Sequence, residues 1–337
     1  MSNIFQARWS SMKAWRKCQM LYNYRYIRLL KKRRPAVPLI RGSIIGELLD
    51  KRAEGKKPTQ VIAKYEAEYG KLFQDERELY GDIIPECLRI MDNYKKLYKN
   101  DGLTYLNGKD GKPYELEVVA EFTVDGQKVH FQGHLDKLVQ DERDLIFVMD
   151  HKSHKVIPDS GARFNDLQLV TYVWLLPMAG YPKPDGVLWD YLRTKPPTVP
   201  EMLKKGGLTR RANIDTDYDT YLQAIQDNHL NPEDYQEELK RLKESSAGRY
   251  FDRVKLPAPS TALIDQVVRE FKETIIQIRD ISKRGTYVRN MTKDCSWCEY
   301  YGLCSAEIRG LDTDFILKAE FLQVEGDAHH GKTRRIK

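Results

Sequence analysis

Long apolar runs are the first thing this chain lacks. No stretch of its 337 residues reaches the roughly 18 apolar positions that a membrane-spanning helix needs. Arg8, Lys13 and Arg16 interrupt the N-terminus, and no apolar segment of a secretory leader follows them. The expectation is a soluble, cytoplasmic protein with no membrane partner. Cysteine is scarce, with five in all. In a reducing compartment these thiols are metal ligands or buried side chains rather than a disulfide framework. Acid is missing from one long segment: Lys13 to Arg34 holds nine Lys or Arg and no Asp or Glu. Trp15, Tyr22, Tyr24 and Tyr26 interleave with the basic residues. That pattern suits contact with a polyanion, and it suits equally a solvated helix face over a core stripe. The formal net charge of +7 agrees with either.

Apolar residues make up 41% of the chain, enough for the core of one large domain or two ordinary ones. The periodicities predict a helix over 1–34, ended by Pro35 and Pro38, and a second over 43–53. Two helices are expected over 58–100, with Cys87 on an apolar face as a plain core residue. A turn at 107–112 precedes a strand at 114–124, which leads through Asp125-Gly126 into a hairpin, so three strands form a meander. Asp159 to Gly161 reads as a loop, 163–179 as a helix and 187–193 as a strand. A helix between two strands suggests a crossover. Residues 198–215 read as a loop, 217–245 as a charged helical insertion, and a long helix starts at Pro257. No internal repeat is visible.

The hairpin, Val129 to Lys152, carries the chemistry. A turn centred on Arg143 sets Asp136 opposite Asp150. Side chains alternate faces with period 2. His130, Gln132, His134 and Asp136 then share a face with Ile146, Val148, Asp150 and Lys152. Phe131, Leu135, Val139, Leu145, Phe147 and Met149 take the other, interrupted by Lys137, and should be core. Two adjacent carboxylates repel unless something neutralises them. A divalent cation does so, and oxygen ligands suit Mg²⁺ or Mn²⁺. Lys152 can orient or deprotonate a water, or offset charge on a phosphate.

Three further thiols crowd one segment, Cys295-x-x-Cys298 followed by Cys304. A closed site needs a fourth, and Cys18 is the remaining candidate. Four cysteines hold zinc as well as an iron–sulfur cluster.

Taken together, Gly133-x-x-Asp136, Asp150-x-Lys152 and Gln168-x-x-x-Tyr172 resemble the PD-(D/E)xK nuclease superfamily, and within it the RecB-type branch. Cys18 with the three late cysteines is similar to the iron–sulfur members, among them the CRISPR-associated exonucleases and the bacterial AddB subunit. The resemblance runs from Ser11 to Cys304. It implies an α/β fold with a restriction-endonuclease-like core: a mixed central sheet flanked by helices, carrying helical insertions at about 58–100 and 198–250. One domain would span 1–310, with a [4Fe–4S] cluster (alternatively Zn²⁺) on Cys18, Cys295, Cys298 and Cys304 joining the two ends, and a tail at 311–337. It further implies a Mg²⁺- or Mn²⁺-dependent deoxyribonuclease, more exonuclease than endonuclease, working in bacterial cytoplasm or an infected host cell. DNA recombination, repair or phage DNA processing would be its setting. The alternative is a catalytically impaired nucleic-acid-binding relative. Asp136 and Asp150 would hold the metal with a carbonyl of residue 151. Lys152 would assist the attacking water, and Gln168 and Tyr172 would orient the site. Lys31, Lys32, Arg33 and Arg34 would contact DNA. One position departs from the pattern: the early helix has Gly46 where RecB-type members usually carry a metal-binding histidine. Glu47 and His134 are the candidates to replace it.

Overall fold

In the computed structural model, which describes residues 4–159, 161, 166–245, 250–325 and 332–335, the chain forms two sheets that meet near Asp136 and a third that ties its ends together. The first half runs β1 (Phe5–Ala7), α1 (Trp9–Lys17), α2 (Gln19–Tyr22), β2 (Leu30–Lys32), α3 (Val37–Ala53), α4 (Thr59–Tyr69), α5 (Gln74–Tyr80), α6 (Ile83–Leu97), β3 (Thr104–Tyr105), β4 (Leu116–Val124), β5 (Gln127–Leu135), β6 (Lys137–Gln140) and β7 (Ile146–His154). The second runs α7 (Gln168–Met178), β8 (Gly186–Arg193), α8 (Tyr218–Asp227), α9 (Gln236–Ser245), β9 (Phe251–Pro257), α10 (Thr261–Arg284), α11 (Tyr301–Ile308), α12 (Asp314–Glu320), β10 (Phe321–Glu325) and β11 (Lys332–Arg335).

The larger sheet is mixed and ordered β3-β6-β7-β8-β9. β7 and β8 run parallel through the α7 crossover, while β6 and β9 are antiparallel to their neighbours. β8 is buried along its whole length and sorts its side chains by parity. Val187, Trp189 and Tyr191 enter the main core with Leu169, Tyr172 and Leu176 of α7. Leu192 faces the other way, into a core with Ile44, Ile45, Leu48 and Leu49 of α3. Any residue of this sheet can therefore be assigned to an α7 face or an α3 face.

The expected hairpin register is present, with Lys137 paired to Met149 and Gln140 to Ile146. The expected meander is not one sheet. β5 pairs with β4 and β1, whereas β6 pairs with β7 and β3. Leaving one sheet for the other at Asp136 costs the strand its alternation. Leu135 and Leu138, three apart, enter the same core, and Val139, Phe147 and Met149 form a separate small cluster. The single apolar hairpin face of the sequence reading is therefore two half-faces, and Leu145 is exposed.

Other departures have local causes. Residues 1–34 are not one helix, because the chain is extended at Cys18. Met12 and Trp15 before it join the main core, while Tyr24 and Leu30 after it pack against Tyr300, Leu303 and Phe321. α3 starts earlier than expected, because Pro38 sits in its first turn, where a proline lacks nothing it needs. Residues 58–100 hold three helices rather than two, and Cys87 is fully buried as expected. β9 lies between the expected insertion and the helix start expected at Pro257, a stretch to which the sequence reading gave no element; its half-exposed edge residues give no clean alternation. The long helix begins at Thr261, capped by the Ser260 hydroxyl, which accepts from Leu263 N at 3.2 Å. The segment expected to be a tail supplies α12 and β10, and β10 pairs with β2. The charged insertion does form α8 and α9, with a small core of its own around Tyr221, Ile225 and Leu242. Parts of the expected 159–161 loop, the 163–179 helix, the 198–250 insertion and the 311–337 tail lie outside the described residues.

Candidate active site

Asp136 occupies the break between β5 and β6. Its backbone carbonyl accepts from Glu115 N at 3.0 Å, and its side-chain Oδ2 accepts from the backbone N of His151 at 2.8 Å. The carboxylate thus takes a ladder bond that an unbroken strand would give to backbone, which fixes it beside β7. Asp150 and Lys152 lie on the α7 face, as their pairing with Trp189 and Tyr191 requires. Asp150 is 2% exposed, and its Oδ2 sits 2.7 Å from Lys152 Nζ without any hydrogen bond of acceptable angle. Lys152 also donates to Gln168 Oε1 at 3.1 Å and lies over the Trp189 ring. Asp136, Asp150, Lys152 and Gln168 are thus brought together.

Tyr172 is buried one helical turn beyond Gln168, and its hydroxyl donates to His134 O at 2.8 Å. Its approach explains the glycine of the G-x-x-D pattern. A Cβ on Gly133 would stand 2.7 Å from the Tyr172 hydroxyl and 3.0 Å from the Phe131 ring. Tyr172 therefore positions the end of β5 rather than facing open solvent. Burial, then Asp136 and Asp150, push its pKa up, so it remains a donor.

The electrostatics are those of a site short of positive charge. Burial pushes Asp150 up to about 7, and the neighbouring Asp136 adds to it against the opposing pull of Lys152. For Lys152, burial disfavours the ammonium, but Asp150, Asp136 and Asp166 outweigh it and raise its pKa. Lys152 is therefore a cation here, suited to offset charge rather than to take a proton. A stability prediction follows for the metal-free protein. Between the ordinary carboxylate value of roughly 4 and about 7, the folded chain keeps a proton on Asp150 that the unfolded chain has lost, so raising pH favours unfolding. Melting temperatures in chelator are expected to fall across that window for the wild type relative to Asp150→Asn, and Mn²⁺ is expected to reverse the fall. A gap between the two proteins that stays constant with pH would contradict this.

On the α3 face, a cavity of about 570 Å³ is lined by Gly42, Gly46, Glu47, Asp50, Glu115, Asp136 and His151, among others. Nothing lies within 4 Å of the position a Gly46 Cβ would occupy, so this position opens onto free space. Glu47 lines the cavity but already accepts from Lys64 Nζ at 2.6 Å and Tyr65 Oη at 2.7 Å. Asp50 pairs with the buried Lys137. His134 is not brought here. The lost alternation at Asp136 turns it to an exposed pocket with Lys109, Glu117 and Tyr181. Among the described residues, no three or more His, Cys, Asp or Glu side chains converge to hold a metal unaided. Two carboxylates, one of them buried and facing a single ammonium, still fit a hydrated Mg²⁺ or Mn²⁺, which keeps several of its waters.

Cys18, Cys295, Cys298 and Cys304 line one cavity of about 190 Å³, together with Tyr24, Arg289 and Tyr300. The extended break at Cys18 places its thiol there, and Asn290 N donates to Cys18 Sγ at 3.5 Å. The four thiols thus share one space.

The run that is acid-free in sequence is not acid-free in space. Arg25 pairs with Glu299, Arg28 with Glu307 at 2.6 Å, Lys32 with Glu320 and Arg34 with Glu76 at 2.5 Å. Arg33 donates to Phe321 O at 3.0 Å. Lys31 is exposed and has no ion pair among the described residues. Much of this charge clasps the N-terminal segment to the C-terminal one.

Sequence reasoning passed over the side chains of His151 and Asp190. The only signal was the identity of the middle residue of Asp150-x-Lys152, and the resemblance assigned a role to its carbonyl instead.

The family model described as the PD-(D/E)XK nuclease superfamily matches residues 9–305. No curated protein matches the chain in sequence. Among solved structures, "Crystal structure of SSO0001" is 13% identical over 78% of this chain and 85% of its own, with a TM-score of 0.32.

Proposed function

The chain belongs to the PD-(D/E)XK nuclease superfamily, and we propose that it is a RecB-type DNA exonuclease that uses Mg²⁺ or Mn²⁺ in recombination, repair or phage DNA processing. Membership implies a metal-dependent nuclease, and the mixed α/β architecture is consistent with a restriction-endonuclease-like fold. The observation that carries the reading is the grouping of Asp136, the buried Asp150 and the partly buried Lys152 at the break between two sheets. Asp136 and Asp150 would hold the cation with the carbonyl of His151. When bound, the cation supplies an activated water and bears charge on the phosphate. The Lys152 ammonium lies ready to offset charge on the attacked phosphate, and Gln168 fixes its direction. Tyr172 holds the β5 end, and with it Asp136. Of the four residues expected at the DNA backbone, Lys31 and Arg34 are exposed. No helix among the described residues is long and apolar enough to cross a membrane.

The test of exonuclease against endonuclease action is topological. An exonuclease degrades linear end-labelled DNA and spares closed circles in the presence of Mn²⁺; nicked or linearised circles would make it an endonuclease. The open space at Gly46 supports a second reading, a binding-only relative. Tight DNA binding with no product from either substrate would favour it.

We further read the four-cysteine cavity as the seat of a [4Fe–4S] cluster, with Zn²⁺ the alternative. Either would link the Cys18 break to the segment before α11 and stabilise a loop of nearly the whole chain. Anaerobically prepared protein is expected to be brown. Cys18→Ala should lose the colour and stability, and Cys87→Ala should keep the colour. A colourless protein carrying stoichiometric zinc would rule out iron–sulfur.

A further inference from the structure

Residues 198–215, expected as loop, hold a short hairpin. Met202 and Leu208 form an antiparallel bridge, and Thr209 N donates to Glu201 O at 2.9 Å. Leu203 N donates to Gly207 O at 2.8 Å, which leaves Lys204 and Lys205 at the tip. Gly206 and Gly207 turn the chain at φ +87° and +79°, where L side chains are strained. The returning strand is fixed on the small core of the insertion, where Leu208 packs with Tyr221 and Tyr235. Leu208 N donates to the Tyr235 hydroxyl at 3.0 Å, and the Tyr221 hydroxyl donates to Thr209 O at 3.0 Å. The Arg210 guanidinium lies 4.6 Å over the Tyr235 ring. A Cβ on Gly207 would stand 2.9 Å from the Tyr235 hydroxyl, so this close approach needs glycine. Glu201 to Thr209 is therefore a finger on a packed base.

Charge and location say what the finger is for. Met202 to Ile214 holds four Lys or Arg and no Asp or Glu. Lys204, Lys205 and Arg211 are exposed and have no ion pair among the described residues. The N-terminal basic run differs, since Arg25, Arg28, Lys32 and Arg34 pair with glutamates of their own chain. Met202 and Leu203 beside the lysines are each 47% exposed, so the tip offers apolar surface next to charge. The finger is rooted next to the candidate active site. His154, two residues beyond Lys152 on β7, pairs with Arg193 at the end of β8, and Thr194 N donates to His154 O at 2.7 Å. Two strand residues span roughly 7 Å. Asp215 closes the root by pairing with Arg193 at 2.5 Å and Lys195 at 2.6 Å.

We propose that this finger is a clamp for the DNA backbone, with Lys204, Lys205 and Arg211 contacting phosphates that flank the scissile one and Met202 and Leu203 lying against the sugars. This rests on the reading of the neighbouring site as a DNA nuclease. Ammonium groups on phosphates hold a strand without reading its sequence, which suits an enzyme that must move along DNA. The basic N-terminal run then serves chiefly to clasp the two ends of the chain, and the insertion supplies the grip on substrate.

The experiment uses the full chain and a fluorescently end-labelled DNA duplex in chelator, so that binding is read without cleavage. Wild-type affinity is expected to fall steeply with salt. Lys204→Ala/Lys205→Ala should reduce the slope of log affinity against log salt by about one per lysine, and weaken binding alike on unrelated sequences. Lys57→Ala/Lys71→Ala, which removes two exposed lysines on either side of α4, should leave the slope unchanged. In Mn²⁺ the finger variant should raise KM and keep kcat, because neither lysine touches the reacting atoms. An unchanged slope in the finger variant, or an equal fall in the Lys57 and Lys71 variant, would overturn the proposal and leave the carboxylate site standing. DNA affinity retained while binding to anionic lipid vesicles is lost would overturn it in favour of a membrane surface. If the wild type binds no DNA even at low salt, the nuclease reading fails and the proposal with it. Should the double variant not fold, each single variant is expected to show half the change, and wild-type slopes in both would equally overturn the assignment.

Discussion

Asp136→Asn and Asp150→Asn are each expected to lower DNA cleavage by roughly a hundredfold or more, with the folded state retained. Asparagine keeps the shape of aspartate, so the loss reports charge and not a cavity. At position 136 the amide oxygen can still accept from His151 N, the bond that fixes this residue to β7. At position 150 the substitution removes one of two mutually repelling acids from a site that is 2% exposed. Neither change should unfold the chain, yet each removes half the negative charge that makes the site a cation site. Lys152→Ala is a useful contrast, because it should reduce turnover while leaving Mn²⁺ binding measurable. Steady-state rates beside circular-dichroism melts check the point. Wild-type rates in both aspartate variants would remove these residues from the chemistry.

The second large effect is on stability. Asp190 is fully buried and gathers His151, Tyr94 and Arg253. Arg253 is held in turn by Asp101 at 3.0 Å and stacks 3.8 Å over the Tyr98 ring. Burial works against the Asp190 charge, but His151, Arg253 and Tyr94 outweigh it and keep its pKa below the usual carboxylate range. Asp190→Ala would leave a largely buried guanidinium half-paired and the Tyr94 hydroxyl without its acceptor. Removing one member of a buried ion pair costs on the order of 3–5 kcal/mol, and that loss is expected in urea unfolding of this variant. Asp190→Asn, which keeps an acceptor, should cost less. A loss of under about 1 kcal/mol for Asp190→Ala would mean that the network behaves like a surface ion pair.

The hairpin shows where sequence reading succeeds and where it stops. Turn chemistry and strand periodicity were enough to set the register of Lys137 to Gln140 against Met149 to Ile146, because a polar turn leaves few ways to pair the flanking strands. The same periodicity misplaced His134. Alternation holds only while a strand stays in one sheet, and nothing in Leu135-Asp136-Lys137 announces that the chain changes sheets there. The Cys18 grouping was readable from thiol spacing, since the late cysteines lack a fourth partner nearby. The break in the helix at Cys18 was not, because the residues around it have ordinary helical propensity and only packing on two separate cores divides them. Composition misled most in the basic run. Its acidic partners, Glu299, Glu307 and Glu320, lie almost a whole chain length away, and pairing over that distance leaves no local pattern. The His151–Asp190 bond escaped for the same reason, as it depends on which strand lies beside β7.

The measurement that bears most directly on the central claim is nucleotide release from end-labelled single- and double-stranded DNA. It compares the wild type with the Asp136→Asn/Asp150→Asn double variant in Mg²⁺, in Mn²⁺ and in chelator. The carboxylate site predicts release by the wild type with at least one of the two cations, none in chelator, and none by the double variant under any condition. Release by the double variant at the wild-type rate, or release by the wild type in chelator, would contradict it.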